Sequence, residues 1–210
     1  MSRKKVIVNV FYRPWVLILI IIGLLFTSCG KKGNGSGENE YFTFDSSKLG
    51  IEVADQDFGI KFSPPKGWNL RPTSISKKIE SRGSNENPAE NFIYQPVYVF
   101  FNDSTGGLLS VGKILSGDST IAKSARINYY KDLLNKKYKD DNLTSANFIN
   151  SRIYFNQIKF SKHNLVSYKI VFANPNNDVI QFDYTIPQNF METTEEFIKA
   201  SIGSIKLLNK

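Results

Sequence analysis

The stretch "IYFNQIKFSKHNLVSYKIVFANPNNDVIQFDYTIP" (residues 153–187) contains three apolar-rich runs separated by short polar turns. The runs are rich in β-branched and aromatic residues, which favour the pleated surface of a strand, and they cover 153–162, 165–173 and 178–186. "NPNND" supplies a turn between the last two runs, and Pro187 ends the final one. This stretch predicts three consecutive strands.

Six further runs predict strands on the N-terminal side of that stretch. Two of them are long, 92–102 and 108–115, and the polar "DSTGG" between them predicts an antiparallel hairpin. The other four are short and lie at 41–44, 50–54, 59–64 and 146–150.

Two segments show helical periodicity. Apolar residues recur at three- and four-residue steps across 118–138. The second segment, 193–203, starts with Thr193 and Glu196 at the spacing of a capping box. A further short helix is predicted at 74–82. Runs of strands with few helices predict an α+β fold, a mainly antiparallel sheet covered by helices in a single domain.

The N-terminal segment has the composition of an export signal. Four basic residues and no acidic residue precede the only cysteine, Cys29, and the run "VLILIIIGLLF" covers 16–26. Eleven apolar residues are fewer than the roughly 20 that span a bilayer, and a run of about 10–14 suits the core of a signal peptide. An uncleaved anchor, a signal cut elsewhere and a buried helix remain alternatives.

The motif "LFTSC" (25–29) resembles the lipobox of bacterial lipoprotein signal peptides. The resemblance implies cleavage between Ser28 and Cys29, a diacylglycerol on the Cys29 thiol and acylation of the new amino group. Phe26 departs from the leucine that is usual at its position. Several acyl chains are sufficient for stable membrane attachment.

These features predict three parts: a signal peptide (1–28), a lipidated Cys29 with a flexible Gly/Lys/Asn tether (29–40) and one folded domain (41–210). The expected location is the cell membrane, with the domain outside the cytoplasm. In a Gram-negative cell we expect the outer membrane, because Gly30 stands where an aspartate retains lipoproteins at the inner membrane of some enteric bacteria.

Two stretches of the domain, "FGIKFSPPKGW" (58–68) and "DYTIPQNFMETTEEFIKASIGSIKL" (183–207), resemble the PsbP-like superfamily. The resemblance implies an α/β/α sandwich, with Trp68 as a packing residue. It also implies action mainly through protein contacts, so an envelope protein is the expected partner.

Catalytic and metal-binding residues are not predicted. The only histidine, His163, lies between two predicted strands, and a metal site usually needs several ligands. No G-x-S-x-G turn is present to expose a nucleophile. "GLLSVGK" (107–113) matches half of a phosphate loop, but Ile114 occupies the position of the Mg²⁺-binding hydroxyl. We therefore expect no cofactor.

Charged clusters have ordinary explanations. The acidic pairs at 140–141 and 195–196 suit a helix-end loop and a first helical turn. Half of the net charge of +8 comes from the segment before Cys29, which is weak support for binding nucleic acid. Basic residues in and just after the long helical pattern predict a helix face exposed to solvent. The alternative is that this face contacts anionic lipid or an acidic partner.

The sequence thus predicts a lipid-anchored, non-catalytic binding or assembly module of the cell envelope, with no nucleic-acid partner. One alternative is a periplasmic carrier that holds a small apolar or anionic ligand between sheet and helix, which the 16 Phe and 10 Tyr residues would permit. A hydrolase is the remaining alternative.

Overall fold

The computed structural model describes residues 42, 44–72, 74, 92–117 and 121–208. Within them lie two α-helices, α1 (Lys123–Lys137) and α2 (Met191–Gly203), and ten strands. The strands are β1 (Val53–Asp55), β2 (Ile60–Phe62), β3 (Asn69–Leu70), β4 (Phe92–Phe101), β5 (Leu108–Ser116), β6 (Thr144–Asn150), β7 (Ile153–Lys162), β8 (Leu165–Ala173), β9 (Val179–Pro187) and β10 (Lys206–Leu207).

Seven strands form one antiparallel sheet in the order β3-β4-β5-β9-β8-β7-β6. The other three form a small antiparallel sheet, β1-β2-β10. Strands β6 to β9 follow one another through short turns, so each pairs with the next strand along the chain. This is the arrangement that consecutive strands with two- to five-residue connections favour.

The two helices cover opposite faces of the large sheet. Side chains alternate between faces along a strand, so Gln181 and Tyr184 of β9 point in opposite directions. The hydroxyl of Tyr130 in α1 donates to Oε1 of Gln181 at 2.7 Å. On the other side, the hydroxyl of Tyr184 lies 2.9 Å from Oγ of Ser201 in α2. We call these the α1 face and the α2 face.

The larger core lies on the α2 face. In this core, apolar side chains of β5, β7, β8 and β9 pack against Ile198 and Ile202 of α2 and against the small sheet. Phe62 of β2 is fully buried, and its ring centre is 4.9 Å from that of Phe182. Trp68 is also buried in this core, as a packing residue, with its ring 6.4 Å from that of Tyr184.

The smaller core lies on the α1 face. Tyr130 and Leu134 of α1 are buried there together with Ile158 and Phe160 of β7. The ring of Phe92 packs against that of Tyr130 in a tilted arrangement, with ring centres 5.7 Å apart. The helix therefore covers the end of β4 and the middle of β7 and β8.

Gly112 allows the close approach of β4 and β5. The pairing register of β4 shifts between Pro96 and Tyr98, and a Cβ at Gly112 would lie 2.2 Å from the carbonyl oxygen of Gln95. That distance is far shorter than any real van der Waals contact, so this strand position requires glycine.

The predicted α+β class, with an antiparallel sheet between helices, is confirmed. The predicted runs 153–162 and 165–173 coincide with β7 and β8. The hairpin of β4 and β5 is also confirmed, and residues 107–113 lead into a strand rather than a phosphate loop.

Three local predictions are wrong. Helix α1 begins at Lys123 with Ala122 at its N-cap, not at residue 118, and no side chain caps it. Helix α2 begins two residues before Thr193, and the Thr193 hydroxyl donates to the carbonyl of Phe190 instead of forming a capping box. In the predicted strand at 41–44, the described residues Phe42 and Phe44 lie outside any strand.

Most of the helix predicted at 74–82, and all of the signal peptide and tether including Ser28 and Cys29, lie outside the described residues. Within the described part of the chain, no helix has the length and apolar character needed to cross a bilayer.

Candidate functional site

A groove lies between the C-terminal end of α1 and strands β7, β8 and β9 of the large sheet. Its volume is about 510 Å³, and side chains from α1, β7, β8, β9 and the β7–β8 turn line it. We call it the α1 groove. It combines buried polar groups, aromatic rings and basic side chains, and so it is the candidate functional site of the described structure.

Four polar side chains of β8 and β9 form the floor of the α1 groove. The strand register places Ser167 opposite Thr185 and Lys169 opposite Asp183. These positions face α1 because they alternate with the apolar residues that pack on the α2 face. The hydroxyls of Ser167 and Thr185 lie 3.3 Å apart, and either oxygen can be the donor.

Lys169 and Asp183 form a mostly buried ion pair in which Nζ donates to Oδ2. Their side chains are only 10% and 19% exposed. The other carboxylate oxygen, Oδ1 of Asp183, is buried without a hydrogen-bond partner among the described residues. Removing charges from water is costly, so this pair stabilises the fold less than an apolar pair of similar shape would.

Two aromatic rings flank the ammonium group of Lys169. The rings of Tyr138, at the C-terminal end of α1, and Phe160 of β7 stack with centres 3.8 Å apart. Nζ of Lys169 lies 5.9 Å from each ring centre, within the range of a cation–π attraction. The rings therefore help to hold a cation that is largely shielded from water.

Tyrosine hydroxyls lie next to the ion pair under α1. Tyr94 lies 2.7 Å from Oγ of Ser110, and Tyr130 donates to Gln181. Burial raises the pKa of both tyrosines well above 10, and the negative charge of Asp183 raises these pKa values further. Both hydroxyls therefore stay protonated and act as neutral hydrogen-bonding groups.

The rim of the α1 groove is basic and partly apolar. Nζ of Lys162 lies 3.3 Å from Oδ2 of Asp141, and Lys137 lines the groove from the last turn of α1. His163 and Asn164 form the β7–β8 turn with φ angles of +49° and +61°, as a two-residue hairpin turn requires. Leu165, the next residue, is 40% exposed.

The α1 groove is lined by more basic than acidic side chains. Its lining holds three lysines, the only histidine of the chain and one carboxylate, Asp183, and of these Lys169 pairs with Asp183 while Lys162 pairs with Asp141 outside the lining. The floor hydroxyls can donate to further oxygen atoms. Ammonium and hydroxyl donors beside rings can hold an acidic group and an apolar one at the same time.

Three of the four acidic residues that were predicted in a helix-end loop and a first helical turn take part in ion pairs, and the acidic residue in the first turn of α2 is Glu192. Asp141 pairs with Lys162, while Glu195 and Glu196 both lie near Lys199, at 3.5 and 4.0 Å. Among the described residues, no three His, Cys, Asp or Glu side chains come together as a metal site.

His163, a residue that stands out in the sequence, lines the groove, whereas the floor residues do not stand out. Ser167, Lys169, Asp183 and Thr185 lie inside runs that predict strands, and such runs do not by themselves show which face of the sheet each residue occupies. The available signal was a lysine within "SYKIVF" and an aspartate within "QFDYT", both polar residues on a covered strand face.

No protein-family model and no curated protein matches the chain. Among solved structures, it is similar to the solution structure of cyanobacterial PsbP (CyanoP) from Synechocystis sp. PCC 6803, with 14% identity and a TM-score of 0.46 over 86% of this chain and 97% of that chain. It is also similar to a crystal structure from Bacteroides thetaiotaomicron VPI-5482, with 12% identity and a TM-score of 0.38 over 77% of this chain and 50% of that chain.

Breaking the floor ion pair is expected to destabilise the fold. Lys169→Met leaves the Asp183 carboxylate without its cation in a shielded site and should lower the free energy of unfolding by about 3 kcal/mol. The double variant Lys169→Met/Asp183→Leu should recover at least half of that loss. Urea unfolding followed by circular dichroism measures both.

Lys61→Met is the matched control, because Lys61 pairs with Glu52 at 3.3 Å but is 37% exposed. Its effect should stay within about 1 kcal/mol. If Lys61→Met and Lys169→Met lower the free energy of unfolding equally, shielding of the Lys169–Asp183 pair from water does not cause the larger loss expected for Lys169→Met.

The buried tyrosines predict alkaline instability. Their pKa values are raised in the folded state, so the unfolded chain releases these protons first, near pH 10. The contribution of these tyrosines to the free energy of unfolding should be constant below that pH and fall above it, by up to about 1.4 kcal/mol per pH unit for each tyrosine. Urea unfolding between pH 8 and about pH 11.5 measures this slope.

Tyr94→Phe and Tyr130→Phe should each flatten the alkaline slope, because neither variant has that proton to lose. Tyr129→Phe is the control, since Tyr129 lies on the same helix as Tyr130 but is 56% exposed. The same slope in all three variants would show that the buried hydroxyls do not cause the instability.

Proposed function

We propose that this chain is a membrane-anchored lipoprotein of the bacterial cell envelope that works as a non-catalytic binding module. The α1 groove is its binding site. The observation that carries the proposal is the floor of that groove, where a shielded Lys169–Asp183 pair and two hydroxyls replace the apolar packing expected under a helix.

The arrangement of charges favours binding over proton transfer. Lys169 and Asp183 neutralise each other, and the two rings beside Lys169 hold its ammonium group in place. A general base, by contrast, must itself accept the proton, and the one carboxylate of the groove lining, Asp183, is held in an ion pair with Lys169. The donors at the floor and rim instead converge on one cavity, as they do in recognition sites.

The anchoring part of the proposal rests on the sequence. A basic start, an apolar run of 11 residues and small residues before Cys29 agree with the lipobox resemblance. Lipid on Cys29 would hold the domain near the membrane and so near other envelope proteins. In this role an envelope protein is the expected partner.

A carrier of a small ligand is the second candidate function. The observation that favours it is the volume of the α1 groove, about 510 Å³, which lies within the usual range of small-molecule sites. The groove also lies between a sheet and a helix, where such a carrier would hold its ligand.

Lipidation is tested on Cys29 itself. Mass spectrometry of the mature protein should find an N-terminal peptide that begins at Cys29 and carries acyl mass. Cys29→Ser should lack that mass and move from the membrane to the soluble fraction. Ser36→Thr, in the segment between the lipobox and the domain, is the control and should behave like the wild type. An unmodified Cys29 thiol in the mature protein would overturn the anchoring proposal.

The binding role is tested by comparing two charge reversals. Lys162→Glu changes the rim of the α1 groove, and Lys61→Glu changes a similarly exposed, ion-paired lysine of the small sheet. Crosslinking in cells followed by purification should recover a stoichiometric envelope protein with the wild type and with Lys61→Glu. Recovery should fall at least fivefold with Lys162→Glu.

Native mass spectrometry of the same samples separates the two candidates. A co-purifying small molecule without a protein partner would favour the carrier. Recovery of neither would overturn the binding role, and equal recovery with both variants would show that the α1 groove is not the site. Measurable hydrolysis that is lost in His163→Ala would overturn the non-catalytic assignment.

A further inference from the structure

We propose that the outer edge of β6 is an interface at which two copies of this chain pair antiparallel, so that their large sheets become continuous. Strand β6 (Thr144–Asn150) is the last strand of the seven-stranded sheet, and none of its residues lines the α1 groove. The inference therefore concerns a second surface, and it adds a second copy of this chain as a partner.

Strand β6 is the one long edge strand among the described strands. Its seven residues include no charged residue and no proline, and its pairing with β7 runs without a bulge. Natural sheets usually protect such an edge, because its unpaired N–H and C=O groups can pair with another strand. The opposite edge, β3, has two residues and Pro72 follows it closely, and the edge strands of the small sheet, β1 and β10, have three and two.

The β6–β7 turn determines which backbone groups of β6 point outward. Ser151 and Arg152 form a two-residue turn with φ angles of +49° and +66°, so the flanking residues Asn150 and Ile153 form a hydrogen-bonded pair. Hydrogen-bonded and non-hydrogen-bonded positions alternate along an antiparallel pair of strands. The backbone groups that point away from β7 therefore belong to Ser145, Asn147 and Ile149.

Two copies of β6 can join these groups about a twofold axis at Asn147. Antiparallel pairing then places Asn147 opposite Asn147 of the second copy, and Ser145 opposite Ile149 of the second copy. Each of the three opposite pairs exchanges two hydrogen bonds, so about six form across the interface. Because β6 carries no charge, the twofold axis brings no like charges together along the strand.

Charges beyond the ends of β6 fit the same register. It brings Arg152 of one copy to the start of the other copy's β6, where Asp140 and Asp141 lie. Asp141 already pairs with Lys162, whereas Arg152 and Asp140 are exposed and have no ion pair within the described part of the chain. Lys139 is exposed beside Asp140, so the contact with Arg152 adds little affinity and acts mainly on orientation.

Apolar side chains at the edge lose exposure on pairing. Ile149 is 74% exposed, and Tyr154, which lies opposite it on β7, is 53% exposed. A second β6 would lie beside Ile149, and each square ångström of apolar surface removed from water contributes about 25 cal/mol. Seven residues a side are fewer than the roughly 20–30 of a standard stable interface, so the dimer is weak.

Crosslinking tests the contact at the twofold axis. Asn147→Cys brings two thiols together in the pair, so a short bifunctional maleimide should link two copies of the purified full chain in excess detergent micelles. The controls are the wild type, whose only cysteine is Cys29, and Ser124→Cys, which places an exposed thiol on α1. The linked fraction with Asn147→Cys should be at least fivefold that of either control.

Charge at residue 147 tests whether the partner is a second copy. Asn147→Lys and Asn147→Asp each set two like charges opposite each other and should weaken the dimer at least fivefold in sedimentation equilibrium. An equimolar mixture of these two variants sets opposite charges together and should return the affinity to within twofold of the wild type. Ser124→Lys is the control and should stay within twofold of the wild type. Thermal unfolding shows that each variant is folded before it is used.

Four outcomes would overturn the inference: a wild type that stays monomeric up to millimolar concentration, linkage of Asn147→Cys no greater than that of the controls, equal weakening by Asn147→Lys and Ser124→Lys, or a mixture as weak as either variant alone. Linkage of Asn147→Cys to a different protein in native membranes, instead of to a second copy, would also overturn it. These outcomes are distinct from failure of the proposed function, because they depend neither on the α1 groove nor on acyl mass at Cys29.

Discussion

Strand β9 is covered on both faces, and this constraint organises the rest of the molecule. Its neighbours β5 and β8 pair with it on either side, so its backbone groups are satisfied within the sheet. Its alternating side chains must then be accommodated by two separate layers. Ile180, Phe182, Tyr184 and Ile186 contribute to the core beneath α2 and the small sheet. Gln181, Asp183 and Thr185 face α1 and require polar partners there.

The side chains of β9 are packed differently on the two faces of the sheet. On the α2 face, an aromatic core surrounds Phe62 and Phe182. Hydrogen bonds also connect the sheet to the helix there, among them those of Tyr184 with Ser201 and of Tyr168 with Glu195. On the α1 face, hydrogen bonds and an ion pair replace much of the apolar contact. A polar floor stabilises a fold less than an apolar one, and this is the cost that the proposed binding role of the α1 groove would account for.

Local sequence patterns predicted the architecture well. Strands β7 and β8 are joined by a two-residue turn in which His163 and Asn164 adopt positive φ, and β8 ends at the longer turn 174–178, so the bounds of both strands were predictable from turn residues. The helix starts were predicted poorly. Ala122 and Phe190 occupy the N-caps without side-chain hydrogen bonds, because packing against the sheet decides where these helices begin.

The candidate site was less predictable for a physical reason. Lys169 and Asp183 are 14 residues apart, and only the β8–β9 register places them opposite each other. Tyr138 and Phe160 come from a helix end and a strand, and their stacking depends on where α1 crosses the sheet. The sequence by itself determined the long strands, the existence of the two helices and the expectation of lipid at Cys29, because period-two patterns, turn residues and signal motifs are local. Only the tertiary structure decided which polar residues share a groove, because cross-strand register and helix placement depend on contacts between distant parts of the chain.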